Sequence, residues 1–218
     1  MSSELDPVSR LVQHSTSIVS DALDELGMHC VLPEIRAQRV GQPRIAGVAL
    51  PVWFKPKAHD PDAYRFGGGV GKPLEQVLRT MQDGDVVVMD LGGTDRASAW
   101  GGLASRLAQR RGVRGTVMWG SCRDVDEIRA IGYPLWAAHV SPRRSRNDFT
   151  FGSINEPITI GGVSIAPKDF VLADENGVVC IPRARIREVL ELAERIAEQE
   201  LRLEALVIND AVTSWDEI

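Results

Sequence analysis

Apolar residues recur at three- and four-residue spacing from Val8 to Leu26, through Leu11, Val12, Ile18, Val19, Ala22 and Leu23, and Gly27 closes the run. Polar Ser15, Thr16 and Ser17 interrupt it, so the pattern predicts two helices with a cap between them. Residues 44–54, RIAGVALPVWF, alternate small and apolar side chains as a strand does, with Pro51 pointing to an edge or a bulge. A short helix is expected around residues 74–81. GDVVVMDLGG at 84–93 then reads as a buried strand, an unbroken apolar run between turn residues. AWGGLASRLAQRR at 99–111 predicts a helix opened by glycines, and GVRGTVMWG a strand ending near Trp119. DEIRAIG and YPLWAAHV repeat the helix–strand alternation, which predicts an α/β fold with a partly parallel sheet.

From residue 151 the pattern shifts to short β segments punctuated by Gly161-Gly162 and Asn176-Gly177, antiparallel or meander-like. The closing stretch, residues 183–207, places Ile186, Val189, Leu190, Ala193, Ile196, Ala197 and Leu201 on one stripe of a long charged helix suited to packing or oligomerisation. No linker divides these pieces, so residues 1–218 are expected to form a single domain. The Gly- and Pro-rich stretch 55–73 predicts a surface loop and a candidate lid. Its glycine run ending in Lys72 is no P-loop, because Phe66 and Pro73 stand at decisive positions.

Composition narrows the function classes. Of 218 residues, 44% are apolar and 25% charged, ordinary for a globular chain, and no apolar run is long enough for a membrane span. The first residues, MSSELDPVSRL, lack the basic start and apolar stretch of a signal peptide, so a cytoplasmic location is expected. A formal charge of −5 argues against nucleic acid as a partner. Cys30, Cys122 and Cys180 form no CxxC pair and the four histidines no HExxH, so a metal would be held mainly by oxygen.

The most suggestive chemistry follows the strand near Trp119, where ligand sites of open α/β sheets lie: Gly120-Ser121-Cys122, then Arg123-Asp124, with Asp126 and Glu127 close behind. Arginine forks onto a carboxylate, and aspartate offers oxygen to a hard cation such as Mg²⁺. Equally, the pair can cap the next helix and neutralise itself. The glycines at 101 and 102 leave amides free at a helix start, a second anion-binding element. His139, near a strand end, reads more readily as a satisfied histidine than as an acid or base, and Cys122 as packing.

Taken together, SDALDELG at 20–27, GDVVVMD at 84–90, WGGLASRLAQRRGVRGTVMWGSCRDVDEI at 100–128 and FVLADENGVVCIP at 170–182 resemble the RraA-like family, which includes 4-hydroxy-4-methyl-2-oxoglutarate and 4-carboxy-4-hydroxy-2-oxoadipate aldolases. The resemblance runs from about residue 8 to 207. It implies a swivelling β/β/α-type domain, assembled as a homotrimer or homohexamer with sites between subunits. It also implies a lyase of the class II pyruvate aldolase type, using Mg²⁺ or Mn²⁺ on a small 2-oxo acid, with oxaloacetate decarboxylation as a companion activity. By that resemblance Arg123 binds and polarises the oxo acid, Asp124 holds the metal, and the backbone of Gly101, Gly102, Leu103 and Ala104 receives the carboxylate. No Schiff-base lysine is then needed, and the four lysines, Lys55, Lys57, Lys72 and Lys168, all fall in loop-like stretches.

Three positions depart from the family pattern. Gly102 replaces an acid that orders the metal's water, Trp119 replaces an aspartate, and Pro51 replaces a threonine. Glu127, or Glu198 or Glu200 of the last helix reaching from a neighbouring subunit, are candidates to order the metal's water in its place. The lost acid also leaves room for an alternative: some relatives are non-catalytic, protein-binding regulators of an RNA-degrading enzyme.

Overall fold

The computed structural model describes residues 6–58, 72–145 and 148–208. The chain opens with α1 (Pro7–Leu11) and α2 (Thr16–Glu25). Their separation follows from local polar chemistry: Asp6 caps α1, and the Ser15 hydroxyl accepts the Ile18 amide to cap α2. Next come β1 (Arg36–Ala37), the long β2 (Ile45–Pro56), α3 (Lys72–Thr80), β3 (Asp85–Asp90), β4 (Ser98–Trp100), α4 (Gly102–Arg110), β5 (Gly115–Cys122), α5 (Val125–Ala130) and β6 (Leu135–Val140). The chain finishes with β7 (Phe149–Ile154), β8 (Ile158–Ile160), β9 (Val163–Ile165), β10 (Phe170–Ala173), β11 (Val178–Ile181) and α6 (Ile186–Ile208).

Among the described residues the main sheet runs β1-β6-β5-β3-β2-β10-β11, with β4 also on β5 and β7 also on β2. Its centre is parallel: β2 on β3, β3 on β5, and β5 on β6. β10 and β7 join β2 antiparallel, and β10 and β11 pair antiparallel across the turn carrying Asn176-Gly177. A bridge between Val31 and Val179 links the segment before β1 back to β11, so the two ends of the sheet approach each other.

Alternation along β2 builds three layers. Ile45 and Ala49 face one core with Val86, Val88, Val117 and Trp136, closed by the β8–β9 hairpin. Leu50, Val52 and Phe54 face the opposite side, under α3, α4 and α5, while Ala46 of the same face meets α1, α2 and α6. Hairpin, sheet and helices stack as a β/β/α arrangement.

Four expectations need correction. Pro51 does not mark an edge, because β2 is internal, and the register irregularity of β2 against β7 lies between Trp53 and Phe54 rather than at Pro51. Pro51 falls between the stretch paired with β10, which ends at Val48, and the stretch paired with β7, which begins at Val52, so its missing N–H costs no ladder bond. Residues 98–100 are strand, not the start of a helix: β4 pairs with β5, and α4 begins only at Gly102. β5 does not stop near Trp119; an irregularity between Met118 and Ser121 absorbs Gly120, and the strand continues to Cys122. Leu201 leaves the buried stripe of α6 and is 66% exposed; full burial on that helix ends with Ala193, and beyond it only Ile196, Ala197 and Leu203 are half-buried. The candidate lid at 55–73 lies mostly outside the described residues.

Candidate active site

The carboxyl end of β5 delivers Arg123 and Asp124 directly to the start of α4. β4 fixes this approach: Trp100 lies opposite Cys122, and the Arg123 amide donates to the Trp100 carbonyl at 3.0 Å. Behind the turn, the buried Trp100 indole N–H donates to Ser105 Oγ at 2.9 Å, and that hydroxyl donates to the Gly101 carbonyl at 3.1 Å. One buried serine thereby locks the last strand residue, the turn and the first helical turn together. Trp100 also stacks on Tyr133 with ring centroids 6.5 Å apart.

Asp124 occupies the N-cap position of α5 but does not cap that helix with its side chain. Its backbone is left-handed, with φ 55° and ψ 37°, a conformation that aspartate tolerates better than most residues. The carboxylate turns back across the turn instead. Its Oδ2 accepts the Gly102 amide at 3.1 Å and lies 3.4 Å from Arg123 Nε. The reading of the pair as a cap for the following helix therefore fails for Asp124, whereas the mutual ion pair is present. Both side chains remain about one-third exposed, at 30% and 34%.

The two glycines leave room for two carboxylates. A Cβ on Gly101 would collide with Asp124 Oδ2 and crowd the Arg123 side chain, and one on Gly102 would stand 2.5 Å from Glu127 Oε2. Leu103 projects outward, 82% exposed, while Ala104 turns into the core at 4%. Only the backbone of Ala104 therefore faces any ligand, through an N–H of the first helical turn, where amides have no intrahelical acceptor.

Glu127 lies in the first turn of α5, whose Ile128 is buried and whose Val125 packs against the core. Its carboxylate forms no ion pair among the described residues. Glu198 and Glu200 are elsewhere: α6 packs with α1 and α2 on the β10–β11 side, where Glu198 pairs with Arg202 at 2.6 Å. Within one chain the structure does not bring either glutamate to Arg123 and Asp124. His139 lies opposite Ser121 in register, and its carbonyl accepts the Cys122 thiol at 3.7 Å. Cys122 is fully buried, and desolvation pushes its thiol up to about 12, which leaves it packing rather than reacting.

Asp90 is a group that pattern reading passed over. It ends β3 opposite Trp119 in register, is 8% exposed, and is pushed above the ordinary carboxylate range by burial, against a 2.7 Å bond from the Gly92 amide. The available signal was a carboxylate closing an otherwise apolar strand at the end of the sheet where ligand sites lie.

The chain matches the RraA-like family, described as Aldolase/RraA, over residues 16–180. It belongs to the RraA-like family. The 4-hydroxy-4-methyl-2-oxoglutarate aldolase of Thermus thermophilus is 33% identical to this RraA-like chain over 144 residues, 62% of the chain and 85% of the relative. Protein DlpA of Legionella pneumophila is 29% identical over 197 residues, which cover 89% of the chain but only 31% of DlpA. Among solved structures, Streptomyces coelicolor RraAS2, described as an unusual member of the RNase ES inhibitor RraA protein family, aligns with a TM-score of 0.82 and 26% identity, covering 93% of the chain and 98% of RraAS2.

Which ion suits this RraA-like site follows from its donors. Asp124 and Glu127 both press carboxylate oxygens against the Gly101-Gly102 turn. Among the described residues no group of three or more His, Cys, Asp or Glu is arranged to hold a metal ion by itself. Two hard oxygen donors without sulfur or imidazole fit an ion such as Mg²⁺ or Mn²⁺, which takes one or two carboxylates and retains water; they do not fit a closed zinc site.

Proposed function

We propose that this protein is a divalent-metal-dependent carbon–carbon lyase that cleaves or decarboxylates a small 2-oxo acid to give pyruvate. The observation that carries the proposal is the delivery of Arg123 and Asp124 by one strand end onto the amide-rich start of α4. The family membership and the named Thermus thermophilus relative support the lyase class.

In this reading the N–H groups of Leu103 and Ala104 receive the substrate carboxylate, aided by the positive end of the α4 dipole. Arg123 lies across the turn, and its guanidinium holds the 2-oxo oxygen. Asp124 would hold Mg²⁺ or Mn²⁺, which when bound supplies Lewis acidity toward that same oxygen. In the retro-aldol direction the 4-hydroxyl gives its proton to a solvent water, its oxygen becomes the carbonyl of the departing fragment, and the C3–C4 bonding pair passes into the pyruvate enolate. In decarboxylation of oxaloacetate, loss of CO₂ leaves the same enolate, and protonation at carbon completes either reaction. Arg123 opposes charge that develops only as the bond breaks, the kind of interaction worth about 3–4 kcal/mol in other enzymes. Assembly as a homotrimer or homohexamer in the cytoplasm belongs to the same proposal, with no nucleic-acid or membrane partner.

The test is pyruvate release from oxaloacetate and from 4-hydroxy-4-methyl-2-oxoglutarate, with Mg²⁺ or Mn²⁺ and again with excess EDTA. Metal-dependent release above the protein-free background is expected, with Arg123→Ala and Asp124→Ala each reducing it by at least about 100-fold. The likeness to RraAS2 favours one second reading, a non-catalytic regulator that binds an RNA-degrading enzyme. Absence of turnover together with stoichiometric binding of such an enzyme would select it.

A further inference from the structure

We propose that Glu127 provides the second carboxylate of the cation site, in a place that only glycine at position 102 leaves open. The inference rests on the lyase reading above and deepens it. A Cβ at 102 would lie 2.5 Å from Glu127 Oε2, 3.2 Å from Cδ and 3.3 Å from Cβ, so the glutamate chain lies along the bare Cα. The adjacent residue repeats the relation, with Asp124 Oδ2 laid over Gly101. Two consecutive glycines thus carry two carboxylates on neighbouring backbone positions, and Asp124 is anchored there by the Gly102 amide.

The elements place the backbone of Glu127 beside the turn, and its side chain is exposed there. Val125 and Ile131 pack against the core and Ile128 is buried in it, so α5 is fixed by that face and Glu127 is left outside it. The Gln109 side chain donates to the Ile131 carbonyl at 3.0 Å, tying α4 to the end of α5. Among the described residues Glu127 has no ion-pair partner, and the Arg123 guanidinium pairs with Asp124. Two carboxylates brought to one turn with a single arginine leave net negative charge, which a divalent cation offsets. Glu127 is a positioning residue in this scheme: beside a cation held by Asp124 it would accept hydrogen bonds from the cation's water.

Mn²⁺ alone serves as the probe, with the full-length chain and affinity read by electron paramagnetic resonance of free Mn²⁺. Glu127→Gln is expected to weaken Mn²⁺ binding by about 10- to 100-fold, the usual effect of losing an outer-shell carboxylate, without lowering the thermal midpoint. Gly102→Ala should weaken it similarly, because the added methyl displaces the flexible end of Glu127 rather than backbone. In Glu127→Gln protein the same Gly102→Ala change should have little further effect, since the two act through one contact. Equal Mn²⁺ affinity in wild type and Glu127→Gln, with affinity lost in Asp124→Asn, would overturn the role of Glu127 and leave the lyase reading intact. Additive losses from the two changes would overturn the pairing of Gly102 with Glu127. Failure of the wild-type chain to bind Mn²⁺, with no metal-dependent pyruvate, would remove the lyase reading and this proposal together.

Discussion

Ser105 shows how one side chain sets the geometry of the turn that Arg123 and Asp124 reach. It is fully buried, accepts the Trp100 indole N–H and donates to the Gly101 carbonyl. Ser105→Ala would leave the Trp100 donor buried without a partner, at a cost of about 1–3 kcal/mol, and would loosen the turn carrying both glycines. Chemical denaturation should record that loss, and lyase assays should show a fall in kcat that exceeds any change in KM. Equal stability in the variant would mean that a water replaces the hydroxyl. The position of Arg123-Asp124 was legible in the sequence, because the pair directly follows a buried apolar strand, at the end of the sheet where ligand sites lie. The direction of the Asp124 side chain was not legible: it depends on a left-handed backbone at that residue, which aspartate permits but does not announce. Nor was the contact between Gly102 and Glu127, which are distant in sequence and meet only because β4 and β5 run side by side.

At the scale of elements, the start of α2 is held by a residue from the end of β10. Asp174 accepts the Thr16 hydroxyl at 2.6 Å, the Thr16 amide at 2.9 Å and the Asn176 amide at 2.9 Å, with Arg44 Nε 3.5 Å away. Burial raises the Asp174 carboxyl, but the Thr16 and Asn176 bonds and the Arg44 charge outweigh it and hold the group below the ordinary carboxylate range. Because the folded value lies below the unfolded one, this contribution is complete above the unfolded value near about 3.9 and is lost as pH falls through the folded value. Asp174→Ala should cost about 3 kcal/mol at neutral pH in urea unfolding, and the gap from wild type should close as pH drops below that range. A gap independent of pH would assign the loss to packing. Elements were readable where the signal is local: the Ser15 cap separates α1 from α2, and Gly161-Gly162 and Asn176-Gly177 sit in the β8–β9 and β10–β11 turns. They were misread where tertiary pairing overrides a breaker. Gly120 looks like a strand end, yet the sheet absorbs it as an irregularity, and Pro51 looks like an edge residue, yet it falls between two partners of one strand.

At the scale of the whole molecule, the end of α6 raises the question of assembly. The helix contributes Val189, Leu190, Leu192 and Ala193 to the core beside α1 and α2, and then extends through Leu201, Leu206, Val207 and Ile208, which are 44–71% exposed. Roughly eleven residues after Ala197 amount to about 16 Å of helix, too short to be stable in water by itself. Apolar side chains on such a projection favour burial against another surface. In the proposed homotrimer or homohexamer that surface belongs to a second copy, and Glu198 or Glu200 would travel with the helix toward the neighbour's Arg123-Asp124 turn. Truncation after Ala197 separates these consequences. Light scattering should show the multimer falling to the mass of one chain, while the thermal midpoint of the remaining body changes by only a few degrees, because the residues removed are mostly exposed. If the neighbouring helix completes the site, pyruvate release should fall with the assembly, and Glu198→Gln or Glu200→Gln should lower it in multimers that remain intact. A truncated chain that keeps its multimeric mass would place the interface on another face, and one that loses assembly but keeps full turnover would show the Arg123-Asp124 turn to be sufficient within a single chain.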